Sequence, residues 1–129
     1  MATGFPAATG DVLSAAMYNG LVGFTLNDQT GTTYTPVLTD QYQVLVTRSN
    51  ASASTMTIPT NASVAFPVGT AITVLNIGAG TCTISAVTPA TTTILSAGAT
   101  AAAPTLAQYK SAVCIKTATD TWYVVGAVA

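Results

Sequence analysis

Asp11, Asp28, Asp40, Arg48, Lys110, Lys116 and Asp120 are the only charged side chains in the sequence, which contains neither glutamate nor histidine. Hydrolysis by a side-chain nucleophile needs a basic partner such as histidine, and general acid–base cleavage needs paired carboxylates. Here the aspartates stand singly along the chain and the base is missing. Metal binding fails on the same ground, because hard cations want clustered oxygens and zinc wants cysteine or histidine. The residues therefore predict no catalytic, cofactor or metal site within one chain, and no enzyme. A site shared between subunits, acting on a capsule or wall polysaccharide, is the one enzymatic arrangement left open.

The remaining motifs are weaker. Gly78-Ala79-Gly80 lacks the third glycine and the following helix of a dinucleotide fingerprint, which leaves turn chemistry. Asn50-Ala51-Ser52 and Asn61-Ala62-Ser63 have the form of glycosylation acceptors, but a chain rich in serine and threonine produces such triplets by chance. Cys82 and Cys114 are the only cysteines and make no disulfide framework. They read as buried free thiols, with a bond between them as the alternative.

Thr-x-Thr triplets recur at Thr33 and Thr35, Thr55 and Thr57, Thr81 and Thr83, Thr91 and Thr93, and Thr119 and Thr121. Alternate strand residues share a face, so ranked threonines on a solenoid would suggest an ice-binding surface. A solenoid needs a fixed period. These intervals are irregular, so the triplets are read as β propensity with an uncharged, hydrogen-bonding exterior. In "TDTWYVVG", Trp122 and Tyr123 must face opposite sides of a strand, with one in the core and one outside or at an interface. Packing of Trp122 is the plainer expectation. An exposed ring at Tyr109, Trp122 or Tyr123 would offer a platform for a surface glycan.

Charged residues make up 5% of the 129-residue chain, where a soluble domain carries roughly a quarter. None lies between Ser49 and Tyr109. With three basic residues and a net charge of -1, no face can neutralise a phosphate backbone, so nucleic acid is not an expected partner. No window approaches the roughly 20 apolar residues that span a bilayer, and no membrane partner is expected. The opening "MATGFPAATGD" has neither a basic start nor a continuous apolar run, so export is not expected either.

The elements follow from period and punctuation. Threonine, alanine, valine, serine and glycine dominate while the good surface helix formers are scarce, which favours strands. "YQVLVTR", "AITVLNI" and "TCTISAV" alternate with period 2, and Gly78-Ala79-Gly80 between the last two reads as a hairpin loop. "YKSAVCIKT" and "TWYVVGAV", joined by "ATD", read as a second hairpin. "SAGATAAAPTLA" contains Gly98 and Pro104 and reads as a loop. About seven short strands with turns between them predict an all-β fold, an antiparallel β-sandwich of jelly-roll type over residues 33–129. Residues 1–32 read as an N-terminal arm. Within it "GDVLSAAMYNG" suits a short helix capped by Ser14 and stopped at Asn19-Gly20. Phe5, Leu13, Met17, Tyr18 and Leu21 make this arm a candidate docking segment, or else a cover for one end of its own sandwich.

"TYTPVLTDQYQVLVT", "MTIPTNASVAFPVGTAITVLNIGAGTCTISA" and "YKSAVCIKTATDTWYVVG", with Pro59, Pro67-Val68-Gly69, Gly78-x-Gly80 and Thr121-Trp122-x-Val124-Val125-Gly126 in that order, resemble a β-rich domain of tailed-phage virion proteins. That group includes tail-fibre tips, tailspike ends and capsid decoration proteins. The resemblance spans about Thr33 to Val128, and "GDVLSAAMYNGLV" resembles the short helical start of such proteins. It implies a virion structural part, commonly a homotrimer, with no catalytic residues. A strand of roughly six residues spans only ~20 Å, so the chain builds a knob rather than a shaft. A knob with a docking arm suits a cement protein. Its expected partners are its own copies and the major capsid protein, and its place is the outer capsid surface after assembly in the host bacterial cytoplasm. A tail-tip module that recognises host surface glycan is the alternative.

Overall fold

The computed structural model describes residues 24–129. The proposed helix of the arm and the docking candidates Phe5, Leu13, Met17, Tyr18 and Leu21 lie outside the described residues. The described chain is almost entirely strand and turn. Its strands are β1 (Thr25–Gln29), β2 (Thr33–Tyr34), β3 (Val44–Arg48), β4 (Ser54–Ile58), β5 (Ala71–Asn76), β6 (Cys82–Ala86), β7 (Thr93–Ser96), β8 (Thr105–Leu106), β9 (Lys110–Ala118) and β10 (Thr121–Gly126). A 3-10 turn, Leu38–Gln41, precedes β3.

The expected alternation explains which side of each strand is buried. In β4, Ser54, Met56 and Ile58 point inward while Thr55 and Thr57 point out. Ile72 and Val74 of β5, Cys82 and Ile84 of β6, and Cys114, Trp122 and Val124 of β9 and β10 fill the same core. Each such aliphatic side chain contributes about 1.5–3 kcal/mol when fully withdrawn from water.

The fold is all-β with two sheets, but its pairing departs from the expected antiparallel sandwich. One sheet has six strands in the order β1-β3-β5-β9-β10-β7, and the other has four in the order β2-β4-β6-β8. Both are mixed. β1 with β3, β3 with β5, β2 with β4, β4 with β6, and β7 with β10 run parallel. Only β5 with β9, β9 with β10, and β6 with β8 run antiparallel. Parallel neighbours need a long crossover, often a helix. For the pairs among β1 to β6 each crossover is a strand of the opposite sheet, because these strands alternate between the two sheets, whereas the chain between β7 and β10 passes through β8 and then β9.

That winding corrects three expectations. Gly78-Ala79-Gly80 is not a hairpin loop, since β5 and β6 belong to different sheets. The fixed period required of a solenoid is also too strict. Thr25 pairs with Val44 whereas Leu45 pairs with Thr73, so coils of unequal length stack in register and the connecting loops absorb the difference. Finally, β1 lies within the segment read as an arm, so the sheet starts at Thr25 rather than after residue 32. The β9–β10 hairpin is present as expected, with Asp120 of its turn at φ 57°. The stretch read as a loop holds the short strand β8 and the end of β7.

Candidate functional site

The broad outer face of the six-stranded sheet is the most unusual surface of the described residues. Partners across a ladder share a face, so register alone places Leu26, Leu45, Thr73, Val113 and Val125 in one row across β1, β3, β5, β9 and β10. A second row runs Ala71, Ile115, Tyr123 and Leu95. Neither row holds a charge. Leu26 is 69% exposed, Val125 49%, Tyr123 43% and Leu95 37%. A third row on the same face, Asp28, Thr47, Leu75 and Ser111, is more polar, and in it Asp28 of the edge strand accepts hydrogen bonds from Thr47 Oγ1 at 2.8 Å and Ser49 Oγ at 2.9 Å. A shallow groove of about 280 Å³ lies along Leu95, Ser96, Tyr123, Val125 and Val128.

Apart from Tyr123, sequence reasoning missed these outward residues, although a signal was present. "SAVCIK" and "WYVV" are apolar at odd and even positions alike, the pattern of a strand covered on both faces. Reading them for alternation alone assigns one set to the core and leaves the other unexplained.

The smaller sheet turns a different face outward. Thr33, Thr55, Thr83 and Thr105 form a rank across β2, β4, β6 and β8. Thr57 pairs with Ser85 in a second rank, and the hydroxyls of Thr35 and Thr57 are 2.8 Å apart. Three of the five Thr-x-Thr triplets thus contribute to one uncharged, hydroxyl-bearing surface despite their irregular intervals. Such a face is hydrated by hydroxyl groups and needs no ionic ones.

Among the aromatic candidates, Trp122 is withdrawn from any recognition role, since it is only 1% exposed. Its ring meets Phe66 edge-to-face with centroids 5.6 Å apart and planes at 89°. Tyr109 is the most exposed of the three at 76%, at the start of β9. Tyr123 pairs with Ile115, most of the strand away, so the two rings do not form one platform.

Polar groups in the interior are bonded in small sets. Asp40, 2% exposed, accepts from Tyr34 Oη, from Asn27 Nδ2 at 2.9 Å and from the Val37 amide at 3.0 Å. Burial first, then the bond to the Asp40 carboxylate and its charge, pushes the Tyr34 hydroxyl up to about 12. Arg48, fully buried, donates to the carbonyls of Gln29 at 3.1 Å and Gly31 at 2.8 Å and so ties down the exit of β1. Its Nε has no hydrogen-bond partner. Lys116, 2% exposed, donates to Asn61 Oδ1 at 2.6 Å and to the Phe66 carbonyl at 2.7 Å.

Cys82 and Cys114 are free, buried thiols. Burial, and then the neighbouring Cys82, push the Cys114 thiol from 9.0 up to about 12. A thiol is a nucleophile only as thiolate. The folded protein is therefore expected to resist iodoacetamide at neutral pH and to take up two labels once denatured, as counted by intact mass. Cys114 and Tyr34 both hold their protons more tightly in the fold than in the unfolded chain. Their contribution to stability is fully present below about pH 9 and is lost as pH rises through about 12. Urea midpoints should fall over that alkaline range.

Among the described residues no group of His, Cys, Asp or Glu side chains is arranged to hold a metal ion, and no helix is long and apolar enough to cross a membrane. Compared with family models, with curated proteins and with solved structures, the chain matches none.

Proposed function

We propose that this protein is a non-enzymatic structural part of a tailed-phage virion, a homotrimeric decoration protein that sits on the outer capsid and strengthens the shell by bridging capsid subunits. The resemblance of its motifs to phage virion domains supports the virion setting. The observation that carries the assembly reading is the largely apolar outer face of the six-stranded sheet, whose two rows from Leu26 to Val125 and from Ala71 to Leu95 hold no charge. A single soluble chain rarely exposes a contiguous apolar patch of more than a few hundred Å². With six strands spaced about 4.8 Å apart the face is about 24 Å across, wide enough to supply much of the ~800 Å² per partner of a stable interface.

Its natural cover is two further copies, the three faces converging on a three-fold axis so that one part of each face meets a different part of the next, since obligate interfaces resemble cores and shed charge. The threonine ranks of the smaller sheet then remain as the hydrated exterior. The sandwich thus has one face for its copies and one for water. Three arms on one body would raise the effective concentration of each at neighbouring capsid proteins.

Light scattering of the purified full chain should give the mass of three chains. Val125→Asp, which changes an exposed side chain, should keep the strand spectrum while reducing the mass to one chain. A wild-type protein that stays single at high concentration overturns the assembly reading. Counting copies in purified particles by mass spectrometry tests the location, with hundreds expected for a capsid protein and few for a tail tip. The tail-tip alternative draws support from the groove beside Tyr123 and from the exposed Tyr109, both suited to stacking against sugar rings.

A further inference from the structure

The buried amine of Lys116 lies against the half-buried side-chain amide of Asn61, a contact with no part in the proposed assembly. Asn61 lies in the turn after β4, where the Ser63 amide donates to the Thr60 carbonyl. Lys116 projects inward from β9 of the other sheet, and its Nζ reaches Asn61 Oδ1 at 2.6 Å. The amide carbon of Asn61 is one carbonyl bond, about 1.2 Å, from that oxygen. A small swing of the lysine end therefore brings nitrogen and carbon to the roughly 3–3.5 Å of a reactive approach. The Trp122 ring, its centroid 6.0 Å from Nζ, and the Phe66 ring packed on it shield the lysine end of this pair, while Asn61 is half-buried. Of the carboxylates among the described residues, Asp120 is the one bonded to Asn61, and the bond is to its backbone. Its Oδ1 accepts the Asn61 main-chain N–H at 2.7 Å and Thr92 Oγ1 at 3.2 Å, which places the carboxylate beside the turn that carries the reactive side chain. Asp28 and Asp40 are engaged elsewhere, with Thr47 and Ser49 and with Tyr34, Asn27 and Val37.

We propose that Lys116 and Asn61 are the site of an intramolecular isopeptide bond that joins the two sheets covalently. The Asp120 carboxylate first turns from the Asn61 main-chain N–H toward the pair. Lys116 Nζ then gives it a proton and attacks Asn61 Cγ. The C–N bond to the asparagine amide nitrogen breaks, Asp120 returns the proton to that nitrogen, and a second proton follows from Nζ. Nitrogen leaves as ammonium and the new amide keeps one hydrogen. No oxidant or cofactor enters the balance. The bond would close a loop between residues 55 positions apart and lock the β4 turn onto β9. It requires no second copy, so it stands or falls independently of the assembly reading.

The test is the intact mass of the purified, denatured full chain, followed by tandem sequencing of its peptides. The expected mass is that of the sequence less one ammonia, allowing for removal of Met1, with a branched peptide that joins Asn61 to Lys116. Asn61→Ala and Lys116→Met should each show the full sequence mass. Asp120→Asn should fold and also keep its ammonia. A wild-type chain at full sequence mass overturns the proposal. So does loss of ammonia without the branched peptide, as ring closure of Asn61 on its own backbone would give. A branched peptide formed as completely in Asp120→Asn as in the wild type overturns the part assigned to the aspartate.

Discussion

Trp122→Ala is expected to destabilise the fold by about 3–5 kcal/mol, the range for removing a large aromatic from a packed core. Against a total of about 5–15 kcal/mol for an ordinary domain, that leaves the variant marginal or unfolded. Three features put the effect at the upper end. The side chain is among the largest that are fully buried, at 1% exposure. Its edge-to-face contact with Phe66 at 5.6 Å is lost with it. Trp122 also pairs with Lys116 across the β9–β10 ladder, so its removal opens a void beside a buried amine. Because the variant lacks the only tryptophan, the loss is best read from the urea midpoint by circular dichroism, with the slope unchanged if only the native state is affected. Tyr123→Ala removes a neighbouring ring that faces outward and is expected to leave the midpoint of isolated chains within about 0.5 kcal/mol. Equal losses in the two variants would contradict the placement of these rings.

Gly80→Ala is the second large effect, and its cause is contact between backbones. A Cβ at this position would overlap the Ser52 carbonyl and lie 2.9 Å from the Ala53 amide nitrogen, so backbone atoms that cannot rotate aside must move. The Gly80 amide donates to Asn50 O at 3.0 Å, and its own carbonyl accepts from Asn76 Nδ2 at 2.9 Å. Asn76, 1% exposed, also donates to the Leu106 carbonyl at 2.8 Å. Forcing the loops apart strains that buried amide as well as the local packing. Overpacking costs about 1–3 kcal/mol, and a buried polar group left unpaired adds about 1–3 kcal/mol. Gly31→Ala is the control, since its new Cβ would meet only Thr33 O at 3.8 Å. Thermal unfolding of both variants should show a large drop for Gly80→Ala and little change for Gly31→Ala.

These glycines illustrate how far local reading reaches. Gly78 and Gly80 were recognisable as special because they interrupt two alternating apolar runs, and turn geometry was the natural local explanation. Their actual role is to let one coil's loop press against the next, a contact with Asn50 to Ala53 that lies far away in the chain. Close approach by a distant segment leaves no local trace. The same holds for Asn61, which had the form of a glycosylation triplet, and for Lys116, which gave no cue to its burial.

What the sequence by itself determined is strand content, the inward side of most strands, the β9–β10 hairpin and the poverty of charge. Each follows from residue type and from a period of two, both local properties. Only the tertiary structure decided that β1 to β6 alternate between sheets and pair in parallel, and that unequal coils bring Thr33, Thr55, Thr83 and Thr105 into one rank. It alone set the apolar rows of the larger sheet side by side and brought Lys116 against Asn61. The physical reason is that alternation shows which side of a strand is buried but carries no information about its neighbour. Strand partners are chosen by burial of the whole core, through contacts between residues remote in sequence.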